Sequence, residues 1–219
     1  MTDLYKFLGE LAENNNRPWF EANRPRYQQL RDQWLSELDR MIQAMAQWDP
    51  AIGRQTARQA AYRIYRDTRF SLDKTPYKTY FSAAMGPYGR SSGRAGYYLQ
   101  HGNASFARQG LYVGLWEVTT ATLNKIRRAI VDNLEEWQQI VENPQARGDF
   151  QWCSDQLKTI PKGWPRNHPQ AHYLRMTNYG LYLPLPDSFF ARPDWPERAA
   201  ELLRPLKPLV YFLNYSIDE

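Results

Sequence analysis

Between Arg63 and Thr79 the chain reads RIYRDTRFSLDKTPYKT, setting Arg63, Arg66, Arg69, Lys74 and Lys78 against Asp67 and Asp73 around Tyr65, Phe70 and Tyr77. The stretch alone carries a net +3 of the chain's formal +5. The chemistry open to such a set is anion recognition. Guanidiniums fork bidentately onto phosphate or carboxylate, and lysines add point charges. Tyr77 can donate or stack. One expectation is therefore a small anionic ligand, bearing phosphate or carboxylate, held by Arg63, Arg69, Lys74, Tyr77 and Lys78 in a basic, aromatic-rimmed cleft. The other is an internal ion network in which Asp67 and Asp73 neutralise neighbouring arginines and fasten the loop to a sheet. Position separates the two. Arg66, Asp67 and Asp73 are assigned to the network, with Arg66 and Asp67 at a rigid strand end, while Lys74 to Lys78 lie on a loop bent by Thr75-Pro76.

No reaction is legible in these types. Surrounding arginines lower the pKa of Asp67 and Asp73, which opposes both a general acid and a hard-cation site. Gly86, Gly89, Gly93 and Gly96, with Arg90 and Arg94 between them, match no phosphate-loop spacing and predict a mobile hairpin loop able to cover a cleft. His168 and His172 have Pro169 between them and no neighbouring cysteine or carboxylate, so no zinc site is expected, and no cofactor motif is present. His101, ahead of a turn, reads as a surface residue. Lone Cys153 beside Trp152 reads as packing, because no Cys-His pair accompanies it. Asn14, Asn15, Asn16, Trp19 and Asn23 form a second polar cluster, best explained by helix capping.

The elements that must position these residues follow from periodicity. Leu4, Phe7, Leu8 and Leu11 make one helical stripe that ends at the three asparagines. Arg17-Pro18 and then Pro25 restart the helix, and Tyr27, Leu30, Trp34, Leu38, Met41, Met45 and Trp48 predict a long helix from about Pro25 to Trp48. A period of two through Tyr62 to Arg66 predicts a strand leading into the charged loop. Further strands are expected over Tyr80 to Met85 and Tyr97 to His101, with Gly102-Asn103 as a hairpin turn into Ala104 to Val113. Thr119 or Thr120 caps a helix that continues through Trp137 to Asn143-Pro144. A proline-punctuated stretch follows, with a strand candidate from Tyr173 to Leu185 broken at Gly180. Asp194 then caps a final helical region restarted at Pro205 and Pro208. The elements do not alternate as βαβ units. The fold class is α+β, an antiparallel sheet packed against long N-terminal and C-terminal helices, in a single domain over residues 1–219.

A hydrophobic fraction of 42% excludes disorder, and eight Trp with fifteen Tyr call for half-buried amphipathic positions. One cysteine forbids an internal disulfide and suits a reducing compartment. Without an apolar leader or an apolar run of membrane-spanning length, a cytoplasmic protein with no membrane partner is expected. Oligomeric state leaves no mark in the sequence.

The central signature resembles the bacterial family DUF2461: Arg63, Arg66-Asp67, Arg69-Phe70, Asp73-Lys74 and Tyr77-Lys78, with NNNRPWFEANRPRY upstream and SFARQGLY and PKGW downstream. The resemblance covers essentially the whole chain and implies an α+β protein of about this length. It implies no activity. Three function classes remain: a small-anion enzyme or binder, a structural or protein-interaction module, and a nucleic-acid binder. The last is not favoured, because blocks of five or six like charges are missing.

Overall fold

The architecture was obtained as a computed structural model, which describes residues 2–90, 92–102, 108–116 and 118–219. The chain divides into two compact units. The first comprises residues 1–90, 98–111 and 184–202, and the second residues 91–97, 112–183 and 203–219. No helix among the described residues is long and apolar enough to cross a membrane.

The first unit opens with three helices whose boundaries were legible as prolines and asparagines: α1 (Thr2–Glu13), α2 (Arg17–Ala22) and α3 (Arg24–Ala46). Asn16 caps α2, its Oδ1 accepting from the Trp19 N–H at 3.0 Å. Pro25 occupies the first turn of α3, where its missing N–H costs nothing. Leu38, Met41 and Met45 bury the inner stripe of α3, and Phe7, Leu8 and Leu11 that of α1. A capping box at Thr56 and Gln59 starts the single turn α4 (Ala57–Ala60).

One five-stranded antiparallel sheet runs in the order β1 (Tyr80–Met85), β2 (Gly96–Gly102), β3 (Gly110–Leu115), β5 (Tyr179–Pro184), β4 (Gln151–Trp152). The α+β class is thus observed. Gly114, at φ +128°, lets β3 approach β5, since a Cβ there would run into the Tyr179 carbonyl oxygen. The expected hairpin turn at Gly102-Asn103 and the start of the strand from Ala104 lie outside the described residues.

The strand expected over Tyr62 to Arg66 is not a member of the sheet. The segment is extended, but it touches its neighbour only through isolated antiparallel bridges, Ala61 to Ala83 and Tyr65 to Tyr77. Three hydrogen bonds accompany them: Tyr62 N–H to Ser82 O, Lys78 N–H to Ile64 O, and Arg66 N–H to Pro76 O. The partner segment contains Pro76, which has no N–H to return. The result is an interrupted ribbon.

In the second unit Thr119 caps α5 (Thr120–Asp132), and Asn133 separates it from α6 (Leu134–Val141). The single continuous helix expected there is therefore two. After the turn α7 (Pro144–Arg147) and strand β4, the proline-rich stretch leads to α8 (Ala171–Leu174) and β5. The strand candidate from Tyr173 is helical at its start, and Gly180 lies inside β5, where a Cβ would press on Trp116 and Cys153. The turn α9 (Asp187–Phe190) and α10 (Trp195–Leu203) belong almost wholly to the first unit. Pro205 and Pro208 restart the chain into α11 (Lys207–Asp218), whose Leu209, Val210 and Leu213 are buried.

Candidate functional site

The charged stretch has a packed base and an open tip. At the base Tyr77 is 2% exposed and lies flat on Phe20, ring centroids 4.0 Å apart and 15° from parallel. Its backbone is held by a side chain rather than by a strand. The Asn15 amide donates to Tyr77 O at 2.9 Å and accepts from Tyr77 N–H at 3.0 Å, supplying the pairing a neighbouring strand would give. Of the asparagine cluster, then, Asn16 caps a helix while Asn15 fastens the site. Capping predicts the first and not the second.

Toward the tip, cations and carboxylates pair locally. Arg66 reaches Asp73 and Thr75 Oγ1, and donates to Thr75 O at 3.2 Å. Asp73 also accepts from the Thr75 N–H at 2.9 Å and hydroxyl at 2.8 Å. These Thr75 donors, then Arg66, hold its carboxyl at about 2. Asp67 takes both arms of Arg69, at 3.0 and 2.7 Å, and its pKa likewise falls to about 2, the Arg69 side chain contributing most. Lys74 Nζ donates to Thr68 O at 2.9 Å. Arg66 pairs with Asp73, and Asp67 with Arg69, rather than with each other. Both pairs are substantially open to solvent, and each also holds backbone: Arg66 donates to the Thr75 carbonyl, and Asp67 accepts from the Arg69 N–H at 3.2 Å. Between them stand Phe70 and Leu72, 95% and 102% exposed.

Arg63 and Lys78 are gathered elsewhere, at the flank of the ribbon. Lys78 Nζ sits 5.1 Å from the Tyr62 ring centroid and 6.0 Å from that of Tyr80. Arg90, from the glycine-rich loop, lies 4.8 Å from the Tyr62 ring centroid and donates to Ala61 O. Burial lowers the Lys78 pKa first, and the positive charges of Arg63 and Arg90 lower it further. Among the described residues no carboxylate forms an ion pair with Arg63, Lys78 or Arg90. Tyr98, 6.1 Å from Tyr62, completes the aromatic rim, its hydroxyl pushed up to about 12 by burial.

The five residues expected to hold a ligand therefore part company. Arg63 and Lys78 meet, joined by Arg90, which sequence reasoning left on a mobile loop. Arg69 and Lys74 occupy the tip, engaged with Asp67 and Thr68. Tyr77 is packed beneath.

His101 corrects a further expectation. It is 1% exposed, stacked on Phe190 at 4.1 Å, with Trp34 and Trp195 each 5.6 Å away. Its Nε2 meets the Tyr5 hydroxyl at 3.3 Å, and burial drives its pKa down to about 3. The signal was present in the alternation Tyr97, Leu99, His101, whose members all face the core. Cys153 is half-buried, its thiol donating to Gly180 O at 3.2 Å. His168 Nδ1 accepts from the Gln170 N–H at 3.1 Å, and among the described residues no three His, Cys, Asp or Glu gather as metal ligands.

The sequence that builds this arrangement matches a family model. The chain belongs to DUF2461, a family of conserved hypothetical proteins, whose pattern covers residues 3–212. No curated protein and no solved structure matches it.

Proposed function

We propose that the protein binds a small anion, phosphate- or carboxylate-bearing, at the flank formed by Arg63, Lys78 and Arg90 over the Tyr62 and Tyr80 rings. The single observation that carries this reading is Lys78, a half-buried ammonium whose neighbours are two further cations and aromatic faces. Asp67 answers Arg63 only at coulombic range and forms no ion pair with it, so the three cations still repel one another and an incoming anion relieves that repulsion as well as making contacts. Arg69 and Lys74 stay at the loop tip, engaged with Asp67 and Thr68, and Tyr77 is packed at the base of the stretch. The test is a thermal-shift screen over phosphorylated metabolites, nucleotides and carboxylates, repeated on Lys78→Met and Arg63→Gln. A stabilising anion whose effect disappears in both variants is the expected result. The reading fails if no anion shifts the wild type, or if every shift survives in Lys78→Met.

Phe70 and Leu72 favour a second reading. Two large apolar side chains fully in water at a loop tip suit a protein-interaction module, in which the Asp67–Arg69 and Arg66–Asp73 pairs shape the loop. The double substitution Phe70→Ser/Leu72→Ser should then abolish a partner contact and leave anion binding intact. Nucleic acid gains less support, since Asp67 and Asp73 already neutralise two of the arginines a groove would need.

The same reading takes residues 1–219 as one folding domain, because the chain supplies the two units in six alternating segments. One cooperative unfolding transition supports this, and two resolved transitions overturn it.

A further inference from the structure

The second unit contains a connection of unusual length. Between β4 and α8 the chain runs from Cys153 to Gln170 without a helix or strand, and loops longer than about 12–15 residues without structure of their own are uncommon and usually functional. This one is not slack. Its first residues are tied to the segment leaving α8: Gln156 bridges Met176, and Leu157 N–H donates to Arg175 O at 2.8 Å. Ser154 Oγ accepts from Thr177 N–H and Asn178 N–H, both at 3.2 Å. Pro161, Pro165 and Pro169 fix φ along the excursion, and Trp164 meets the edge of His168 at 5.4 Å. A long connection whose ends are fastened and whose interior is stiffened by proline is preorganised.

Together with α8 it borders an open-sided cavity of about 450 Å³ lined by Lys158, Thr159, Ile160, Arg166, Ala171 and Arg175. That volume falls in the usual range for small-molecule sites, about 300–1,000 Å³. Every charged residue of the lining is a cation, and among the described residues none of the three forms an ion pair. The Nε of Arg175 is buried without a hydrogen-bond partner. A further cation reaches the backbone of the residue after Arg175. Arg127, 2% exposed on α5, gives its hydrogen bonds to Met176 O at 3.0 Å and Asn124 Oδ1 at 3.1 Å, neither of them charged. A buried guanidinium answered only by neutral acceptors leaves its charge to be felt by whatever occupies the neighbourhood.

We infer that this cavity is a second anion site, and that it takes a small molecule carrying a phosphate or pyrophosphate group. Two guanidiniums match the oxygens of a phosphoryl group bidentately, Lys158 adds a point charge, and the Thr159 hydroxyl can donate. Ile160 and Ala171 offer an apolar wall to the rest of the molecule. The site is independent of the Arg63–Lys78–Arg90 flank and shares no residue with it.

Calorimetric titration of the full chain with inorganic pyrophosphate tests the inference, with ADP and a twelve-nucleotide oligo-dT as parallel arms. Saturable pyrophosphate binding is expected. Titrated in a Lys78→Met background, which removes the flank, saturable binding should remain and should weaken at least tenfold on adding Lys158→Gln or Arg166→Gln, both exposed positions whose loss leaves the fold intact. Arg175→Lys, which keeps the charge and loses the fork, should fall between that background and those variants. Tighter ADP than pyrophosphate binding, lost in the same variants, identifies a nucleotide as the carrier of the group. The inference is overturned by absence of pyrophosphate binding at millimolar concentration in the Lys78→Met background, by equal affinity there with and without Lys158→Gln, or by binding of the oligonucleotide alone.

Discussion

Around Arg66 and Arg69 the counter-charges arrive with the cations. Asp73 and Asp67 lie seven and two residues away, and a short loop brings each onto its arginine. Around the cavity of the second unit the cations come from separated places, Lys158, Arg166 and Arg175, and among the described residues no carboxylate joins the lining. The first region is conspicuous in sequence and largely neutral at its tip. The second is inconspicuous in sequence and keeps its charge. Local charge density is therefore a poor guide to where unspent charge remains. The flank of the first region makes the same point, since Lys78 and Arg63 acquire a third cation only when Arg90 folds back from another loop.

The largest effect that would break this comparison lies at the packed base of the first region. Phe20→Ala removes the ring on which Tyr77 rests and should cost about 3–5 kcal/mol of unfolding free energy, read by denaturant titration. A cost below about 1 kcal/mol would mean that the base is not what holds the stretch in place.

Acid sensitivity sharpens the comparison next. His101 has its folded pKa lowered from 6.5 to about 3, so the unfolded chain binds the proton more readily throughout that interval. Stability is then full above about pH 6.5 and falls as pH drops toward 3, by about 2 kcal/mol at pH 5. Asp67 and Asp73 are depressed from 3.8 to about 2, so what they contribute is present above pH 3.8 and is lost only as pH falls toward 2. Loss beginning near pH 6, and abolished in His101→Phe, places the weakness in the aromatic core. Loss confined below pH 4 would place it in the loop.

The smallest expected effect belongs to the loop tip. Asp67→Asn or Arg69→Gln breaks an ion pair whose members are both mostly in water, and the unfolding midpoint should not move measurably. A clear fall in the midpoint would show that the tip is a clamp after all.

Much of the framework was readable because single residues punctuate it. Pro18 and Pro25 start helices, Asn133 and Asn143 lie where helices end, and Pro205 and Pro208 restart one. The family pattern was likewise visible. What escaped was anything settled by distant contacts. The ribbon at Tyr62 to Arg66 has the period of a strand, yet its partner contains Pro76 and turns its free edge to a side chain, Asn15. Arg127 lies within the apolar spacing of Leu123, Ile126 and Ile130, a place that announces burial, but charge masked the signal. The cavity had no sequence signature because its cations are separated by prolines and come together through contacts between distant segments, among them the bridge of Gln156 to Met176 and the Leu157 N–H bond to Arg175 O.

The pairing between Asn15 and Tyr77 also exposes the protein to chemical ageing. Asparagine side chains hydrolyse slowly to carboxylates, and here that reaction would exchange the nitrogen that donates to Tyr77 O for a second oxygen. A carbonyl would then face an anion across a distance set for a hydrogen bond, at the point where the charged stretch is fastened to the helices. Stored protein should lose its order there first, as a covalent modification of a residue that touches no ligand.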